Sequence, residues 1–292
     1  MKTIAFYSYK GGVGRTLLLA NVAKYLARFG LRVFALDFDL EAPGLHYKLN
    51  VVDSPQIHEI KLGLVDYIYL FALKGDTPET LRDYVVDVEM KEQSGGTIHL
   101  MPAGNVPTAD YWSHLAQISW HDLFYRPGAK GVAFFLDLKA RIQRDFNPDF
   151  LLIDSRTGIT EIAGVATTIL PDYVICVLLR NRENMEGARA VLRSIKRTRR
   201  IRKQVPIKII PVVARLPLLE DSSREKQIVC EVRRFLNQDA PEIADTLSIQ
   251  ELPVLHSDQD LEVDESVLMD NGNEQSLLLR DYLCLFADIF PK

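Results

Sequence analysis

The sequence predicts a doubly wound α/β fold, a mainly parallel sheet with helices on both faces. Three observations carry that expectation. Near-continuous apolar, β-prone runs recur along the chain, at Thr3–Tyr7, Leu31–Leu36, Phe150–Ile153, Tyr173–Leu179 and Ile207–Val213, as strands buried on both faces require. Stretches with helical apolar spacing separate them, the alternation that builds parallel sheets. Two of the runs also end in carboxylates, Asp37 and Asp154, and open sheets of this class bind ligands at the carboxyl ends of their strands. With 292 residues and 47% hydrophobic content, the chain is expected to form a single domain, residues 1–292.

Taken in order, Thr3–Tyr7 is the first strand. Tyr9-Lys10-Gly11-Gly12-Val13-Gly14-Arg15-Thr16 follows, then Leu17–Ala27 with a helical apolar stripe. Strand, glycine-rich turn and helix together are the context of a phosphate-binding loop. Its glycines let the backbone approach a polyphosphate, and its N–H groups gather at a helix N-terminus, where the dipole favours anions. Thr16 stands where the loop hydroxyl ligates Mg2+. The usual form is G-x-x-x-x-G-K-[ST]. Here Tyr9 replaces the first glycine, Arg15 replaces the lysine, and a second cation, Lys10, opens the loop.

The pattern K-G-G-x-G-[KR]-T resembles the deviant phosphate loop of the MinD/ParA family of P-loop ATPases. The arginine form, flanked by Tyr-Ser-Tyr, resembles that family's KGGVGR variant branch. The resemblance implies ATP and Mg2+ as ligands and contacts to nucleotide from Lys10, Gly11, Gly12, Val13, Gly14, Arg15, Thr16 and Leu17. It implies a homodimer formed on ATP binding, with Lys10 reaching the partner's phosphates and acting in catalysis. Asp37-Phe38-Asp39 then resembles the first switch, in which Asp39 orients the attacking water and Asp37 supports it. Phe150-Leu151-Leu152-Ile153-Asp154, with Gly158 four residues on, resembles the Walker B and second-switch pattern. On that match Thr16, Asp39 and Asp154 form the metal side, and Gly158 places a backbone N–H near the γ-phosphate. In the family an asparagine after a late strand often reads adenine. Ala214-Arg215 stand there in this chain, so Arg215 is a nucleotide-contact candidate. Leu252-Pro253-Val254 resembles the strand end that packs on the base, with Pro253 as the contact.

The remaining elements are less specific. Gly63–Leu70 and Pro78–Tyr84 read as two helices, the second with proline at its first turn, and Thr97–Pro102 as a strand. His99 reads as a packed strand histidine, without a second metal ligand near it in sequence. Residues 108–147 read as aromatic-rich helices, with Phe134-Phe135-Leu136, Leu138 and Ile142 on a core face and Gly128–Gly131 as a break. Cys176 falls on a buried strand. The last helix, about Gln275 to Phe290, carries almost no basic charge and reads as core, since a membrane-surface helix needs cations on its polar face.

One compositional shift remains. Arg189, Arg193, Lys196, Arg197 and Arg200 recur at three- and four-residue steps, with Ala188, Val191, Leu192 and Ile195 on the opposite side. The arginines are expected to face solvent. Such a stripe can track non-specific DNA, as ParA-type relatives do through basic surfaces. A dock for an unidentified acidic protein and a merely solvated face stay open beside it. With 35 basic and 39 acidic residues, net −4, the chain as a whole has no polyanion affinity. Three dispersed cysteines argue for a reducing compartment. Without a signal-peptide pattern or an 18-residue apolar run, a cytoplasmic protein with no membrane contact is expected.

These readings converge on a slow, Mg-dependent ATPase that switches with nucleotide and signals to a partner. The variant branch adds an expected place in bacterial defence or signalling. Two alternatives fit less well. A non-hydrolysing scaffold would not need both Asp39 and Asp154, and a metabolic synthase or ligase of the same superfamily would lack Lys10.

Overall fold

The computed structural model describes residues 1–49, 51, 60–90, 95–201, 205–217, 222–238, 247–257 and 277–289. In chain order these form β1 (Lys2–Tyr7), α1 (Arg15–Arg28), β2 (Arg32–Phe38), α2 (Leu45–Lys48) and α3 (Leu64–Lys74). Next come β3 (Val86–Val88), β4 (Thr97–Met101), α4 (Ala109–Gln117), α5 (Trp120–Phe124), α6 (Gly131–Phe146) and β5 (Phe150–Ser155). The rest are α7 (Glu161–Gly164, continued to Ile169 as a π-turn), β6 (Tyr173–Leu178), α8 (Arg182–Ile201), β7 (Lys208–Pro217), α9 (Ser222–Asn237), β8 (Val254–Ser257) and α10 (Leu277–Ile289).

The eight strands form one sheet in the order β3-β4-β2-β5-β1-β6-β7-β8. Every pairing is parallel except β3 with β4. β1 lies at the centre, with Ala5 opposite Ile153 of β5 on one side and Val174 of β6 on the other. Alternate residues feed two cores. Ile4, Phe6, Val33, Ala35 and Leu152 pack with α1 and α10, whereas Ala5, Tyr7, Phe34, Leu36 and Leu151 pack beneath α3, α6 and α8. The doubly wound expectation is met, and β1, β2 and β5 all release their chains at the same edge.

Two local expectations need correction. Pro78–Tyr84 is not a helix; only one 3-10 turn forms, at Arg82–Tyr84. Arg141 and Arg144 of α6 hold the carbonyls of Pro78 and Glu79, at 2.5 and 3.1 Å, so those acceptors are taken before a helix can use them. The chain then enters β3, an antiparallel edge strand of three residues, too short for any periodicity to announce. Leu136 is 47% exposed, while Phe134, Phe135, Leu138 and Ile142 are buried as expected.

His99 is a strand residue, packed on the Phe146 ring at 5.0 Å and bonded to Asp87 at 2.5 Å. Among the described residues no helix is long and apolar enough to cross a membrane.

Cys176 is fully buried on β6, Cys284 is exposed on α10, and burial pushes the Cys176 thiol up to about 12. At pH 8 a disulfide reagent should therefore label Cys284 within minutes and reach Cys176 only in denaturant. Peptide mapping that finds Cys176 labelled early in folded protein would contradict this core.

Candidate functional site

The loop between β1 and α1 adopts the geometry that its glycines permit. Gly12 and Gly14 take φ of +75° and +91°, a region costly for any residue with a Cβ. Gly14 is the N-cap of α1 and offers no side-chain acceptor. The first N–H groups of a 14-residue helix are left to an external anion. Below them lies a cavity of about 420 Å3, walled by the loop from Gly11 to Leu17 and by the chain segments leaving β2 and β5.

Three charged groups meet under that cavity. Arg15 donates from Nε to Asp154 Oδ1 at 2.6 Å and from Nη2 to Asp39 Oδ2 at 2.8 Å. Its guanidinium is only 7% exposed and Asp154 is 1% exposed. Burial alone would lower the arginine's pKa, but Asp154 and Asp39 outweigh it and the net shift is upward. Thr16 donates its hydroxyl to Asp154 Oδ2 at 2.7 Å. Burial raises the Asp154 pKa, opposed by Arg15 and Thr16.

Asp37 plays a different part. Its carboxylate accepts from the N–H groups of Asp39, Gly44 and Leu45 at 3.2, 3.2 and 3.1 Å. It folds the segment that carries Asp39 and does not line the cavity. Burial, then the nearby Asp154 charge, raises its pKa.

Other expected residues are dispersed. Lys10 is 48% exposed and lies outside the cavity, its Nζ 2.7 Å from Glu183 of α8. Tyr9 packs its ring on Gly187 so closely that a Cβ there would sit 2.1 Å from Cδ1. Gly158 takes φ +76°, and its carbonyl accepts from the Tyr7 hydroxyl at 3.1 Å. Arg215, at φ +54°, reaches the cavity wall. Pro253 does not; its carbonyl receives the Val213 N–H at 2.9 Å and it borders a separate hollow beside Cys230 and Cys284.

Several cavity residues had not been anticipated: Ser8, Glu41, Lys48, Arg156 and Thr157. A cation inside the D-x-x-x-G segment was the one available hint for Arg156.

The arginine stripe on α8 is also reassigned. Arg193 is 9% exposed and donates to the Gln238 carbonyl. Arg189 stacks over Phe235 at 4.2 Å and donates to the Phe235 carbonyl at 3.1 Å. Both cap the C-terminus of α9, where cations meet unpaired carbonyls and the negative end of the dipole. Arg193 is buried and Arg189 only partly exposed, whereas Arg197 faces solvent. The side chain of Arg200 lies outside the described residues.

Two buried polar atoms at the site have no hydrogen-bond partner, Ser8 Oγ and Arg15 Nη1. Such atoms carry a full desolvation cost unless a ligand satisfies them. A phosphate chain on the loop would supply acceptors to both. Oxygens of Thr16, Asp39 and Asp154 form a hard donor set suited to Mg2+. The residues present therefore fit a magnesium nucleotide.

Comparison with known proteins shows the family and the fold. The CobQ/CobB/MinD/ParA nucleotide-binding domain family matches residues 4–252. The chain belongs to this family. Among solved structures, MinD with Mg-ADP from Pyrococcus horikoshii superposes with a TM-score of 0.62 at 19% identity, covering 99% of this chain and 96% of that one. A putative plasmid partition protein of Borrelia burgdorferi bound to AMPPNP gives 0.60 at 14% identity, covering 99% of each chain. A Cyanothece McdA variant in complex with ATP gives 0.60 at 16% identity, covering 99% of this chain and 96% of that one. At these identities the likeness is one of fold. An uncharacterized ATP-binding protein of Methanocaldococcus jannaschii is 41% identical over 51 residues, 18% of this chain and 19% of its own length. The match thus spans about a fifth of that relative.

For this MinD/ParA-type chain, removing the bridging cation is a direct test of the site. In metal-free protein, Arg15→Ala leaves two buried carboxylates without their partner and should destabilise the fold by about 3–5 kcal/mol. Urea unfolding would register the loss, and millimolar Mg2+ should restore part of it by supplying the missing charge. An unchanged midpoint would show that the guanidinium does not hold the site together.

Proposed function

We propose that the protein is a nucleotide switch that binds Mg-ATP on the Gly11–Thr16 loop, hydrolyses it slowly, and pairs with a second copy in the ATP state. The observation that carries this reading is the pair of orphaned donors, Ser8 Oγ and Arg15 Nη1, beneath a helix N-terminus and beside Asp39 and Asp154. Solved relatives whose names record Mg-ADP, AMPPNP and ATP support the choice of an adenine nucleotide.

The roles follow from position. Loop N–H groups and the α1 terminus bind the phosphates. Thr16 and Asp154 hold the metal, which neutralises charge on the phosphate oxygens when bound. Asp39, at the cavity wall, accepts a hydrogen bond from the attacking water and fixes its line of approach. Arg15 must leave Asp39 and Asp154 before those carboxylates can serve metal and water. That exchange slows each turnover, and Arg15 then offers its fork to the phosphates.

Lys10 is expected to act across the dimer. Its pair with Glu183 is solvent-exposed, hence weak and screened, so a partner's triphosphate can displace it. Two triphosphates brought face to face repel unless cations stand between them.

The partner that reads the ATP state is best taken as a protein. Arg189 and Arg193 are committed to α9, which removes two anchors from the DNA reading. A MinC:MinD complex of Aquifex aeolicus, similar in fold at a TM-score of 0.58 and 17% identity, is one precedent for such coupling. A bacterial defence or signalling setting accords with the arginine form of the loop.

Light scattering and nucleotide titration test the switch together. Lys10→Ala should bind ATP within about tenfold of wild type yet lose ATP-dependent dimerisation and hydrolysis. Asp39→Ala with Mg-ATP should give a trapped dimer, and the double variant Lys10→Ala/Asp39→Ala should stay monomeric. A double variant that dimerises normally would sink the trans-lysine role.

For the partner, wild-type protein with ATP should fail to retard long duplex DNA at low salt. Retardation that falls steeply with added salt would instead restore the DNA reading.

A further inference from the structure

Glu41 and Arg156 close the cavity between them. Glu41 lies two residues beyond Asp39 on the segment leaving β2, and Arg156 two residues beyond Asp154 on the segment leaving β5. Both line the cavity. Their side chains meet in a two-pronged pair, with Nη1 on Oε1 and Nη2 on Oε2. Arg156 is 26% exposed and Glu41 is 55% exposed, so the clasp stands at the mouth, open to exchange with an incoming ligand.

Besides Arg156, the cations that line the cavity are Arg15, Lys48 of α2 and Arg215. Arg15 commits Nε and Nη2 to Asp154 and Asp39, and Lys10 is turned outward to Glu183. Arg215 lies on β7, beyond β6 from the phosphate loop, away from the two aspartates. Arg156 shares the short segment after β5 with Asp154, next to where the last phosphate must sit for water held by Asp39 to reach it. Its planar fork is already engaged by a two-oxygen anion. A carboxylate edge and a phosphoryl edge present matching acceptors to such a fork.

We propose that Arg156 reads the terminal phosphate of the nucleotide, and that Glu41 occupies its fork until that phosphate arrives. The inference rests on the ATP-site reading above and deepens it. A diphosphate lacks the group that displaces Glu41, so the clasp persists with ADP and opens with ATP. Opening unlinks the two segments that carry Asp39 and Asp154, which makes the triphosphate form distinct at the surface.

Calorimetry on the full chain with Mg2+, using AMPPNP and ADP as probes, tests this. Arg156→Ala should weaken AMPPNP by about tenfold or more, as loss of a charge-assisted pair of bonds implies. Its ADP affinity should stay within about twofold, which also reports a folded site. Arg156→Lys should recover only part of the loss, because an ammonium has no fork. Glu41→Gln should tighten AMPPNP by about threefold by removing the competing carboxylate, and leave ADP unchanged. Equal weakening of both probes in Arg156→Ala, or no change in either, would overturn the assignment while leaving the ATP site standing. A wild-type protein that binds neither probe would overturn the ATP-site reading itself.

Discussion

A guanidinium held between two carboxylates, largely out of water, governs the geometry of the whole carboxyl edge of the sheet. Asp39 and Asp154 arrive from different strands and would repel in so dry a place. Arg15 answers both at once, with a separate nitrogen for each. Its own backbone starts α1, so the ion pairs also fix where the helix begins relative to β2 and β5. The phosphate loop is thus positioned from below by charge and from its own ends by strand and helix.

Neutral hydrogen bonds complete the scaffold. The Tyr111 hydroxyl donates to the Leu40 carbonyl at 2.5 Å, tying α4 to the segment after Asp39. The Tyr7 hydroxyl holds Gly158 in the segment after Asp154. Burial raises the pKa of both phenols, so they remain donors across any physiological pH. Each turn at the site is therefore pinned by an aromatic residue rooted in a core. The arrangement leaves Glu41 and Arg156 as the exposed link between the two turns.

Much of this was legible in the sequence because the signals are local. A five-residue apolar run before Lys10-Gly11-Gly12, or four apolar residues before Asp154, declares strand, turn and charge within one window. What escaped depends on residues far apart. Arg15 was expected to point at phosphate, yet it turns to Asp154, 139 positions away. Arg193 belongs to a periodic stripe that reads as solvent-facing, and only the docking of α9 shows that it is a cap. β3 exists because β4 offers it an edge, and its three residues carry no pattern of their own. Pairings of this kind have no signature in either partner taken alone.

The central place of β1 has a consequence for how the chain is made. β1 leaves the ribosome well ahead of its neighbours in the sheet, β5 and β6, which follow about 150 and 170 residues later. At roughly 5–20 residues per second, synthesis needs on the order of ten seconds to supply them. Throughout that interval an apolar strand waits with both edges unpaired, the state most open to wrong pairing and chaperone capture. The phosphate loop cannot take its working shape until Asp154 has been translated. Nucleotide therefore cannot assist the early stages of folding and can only stabilise a domain already more than half made.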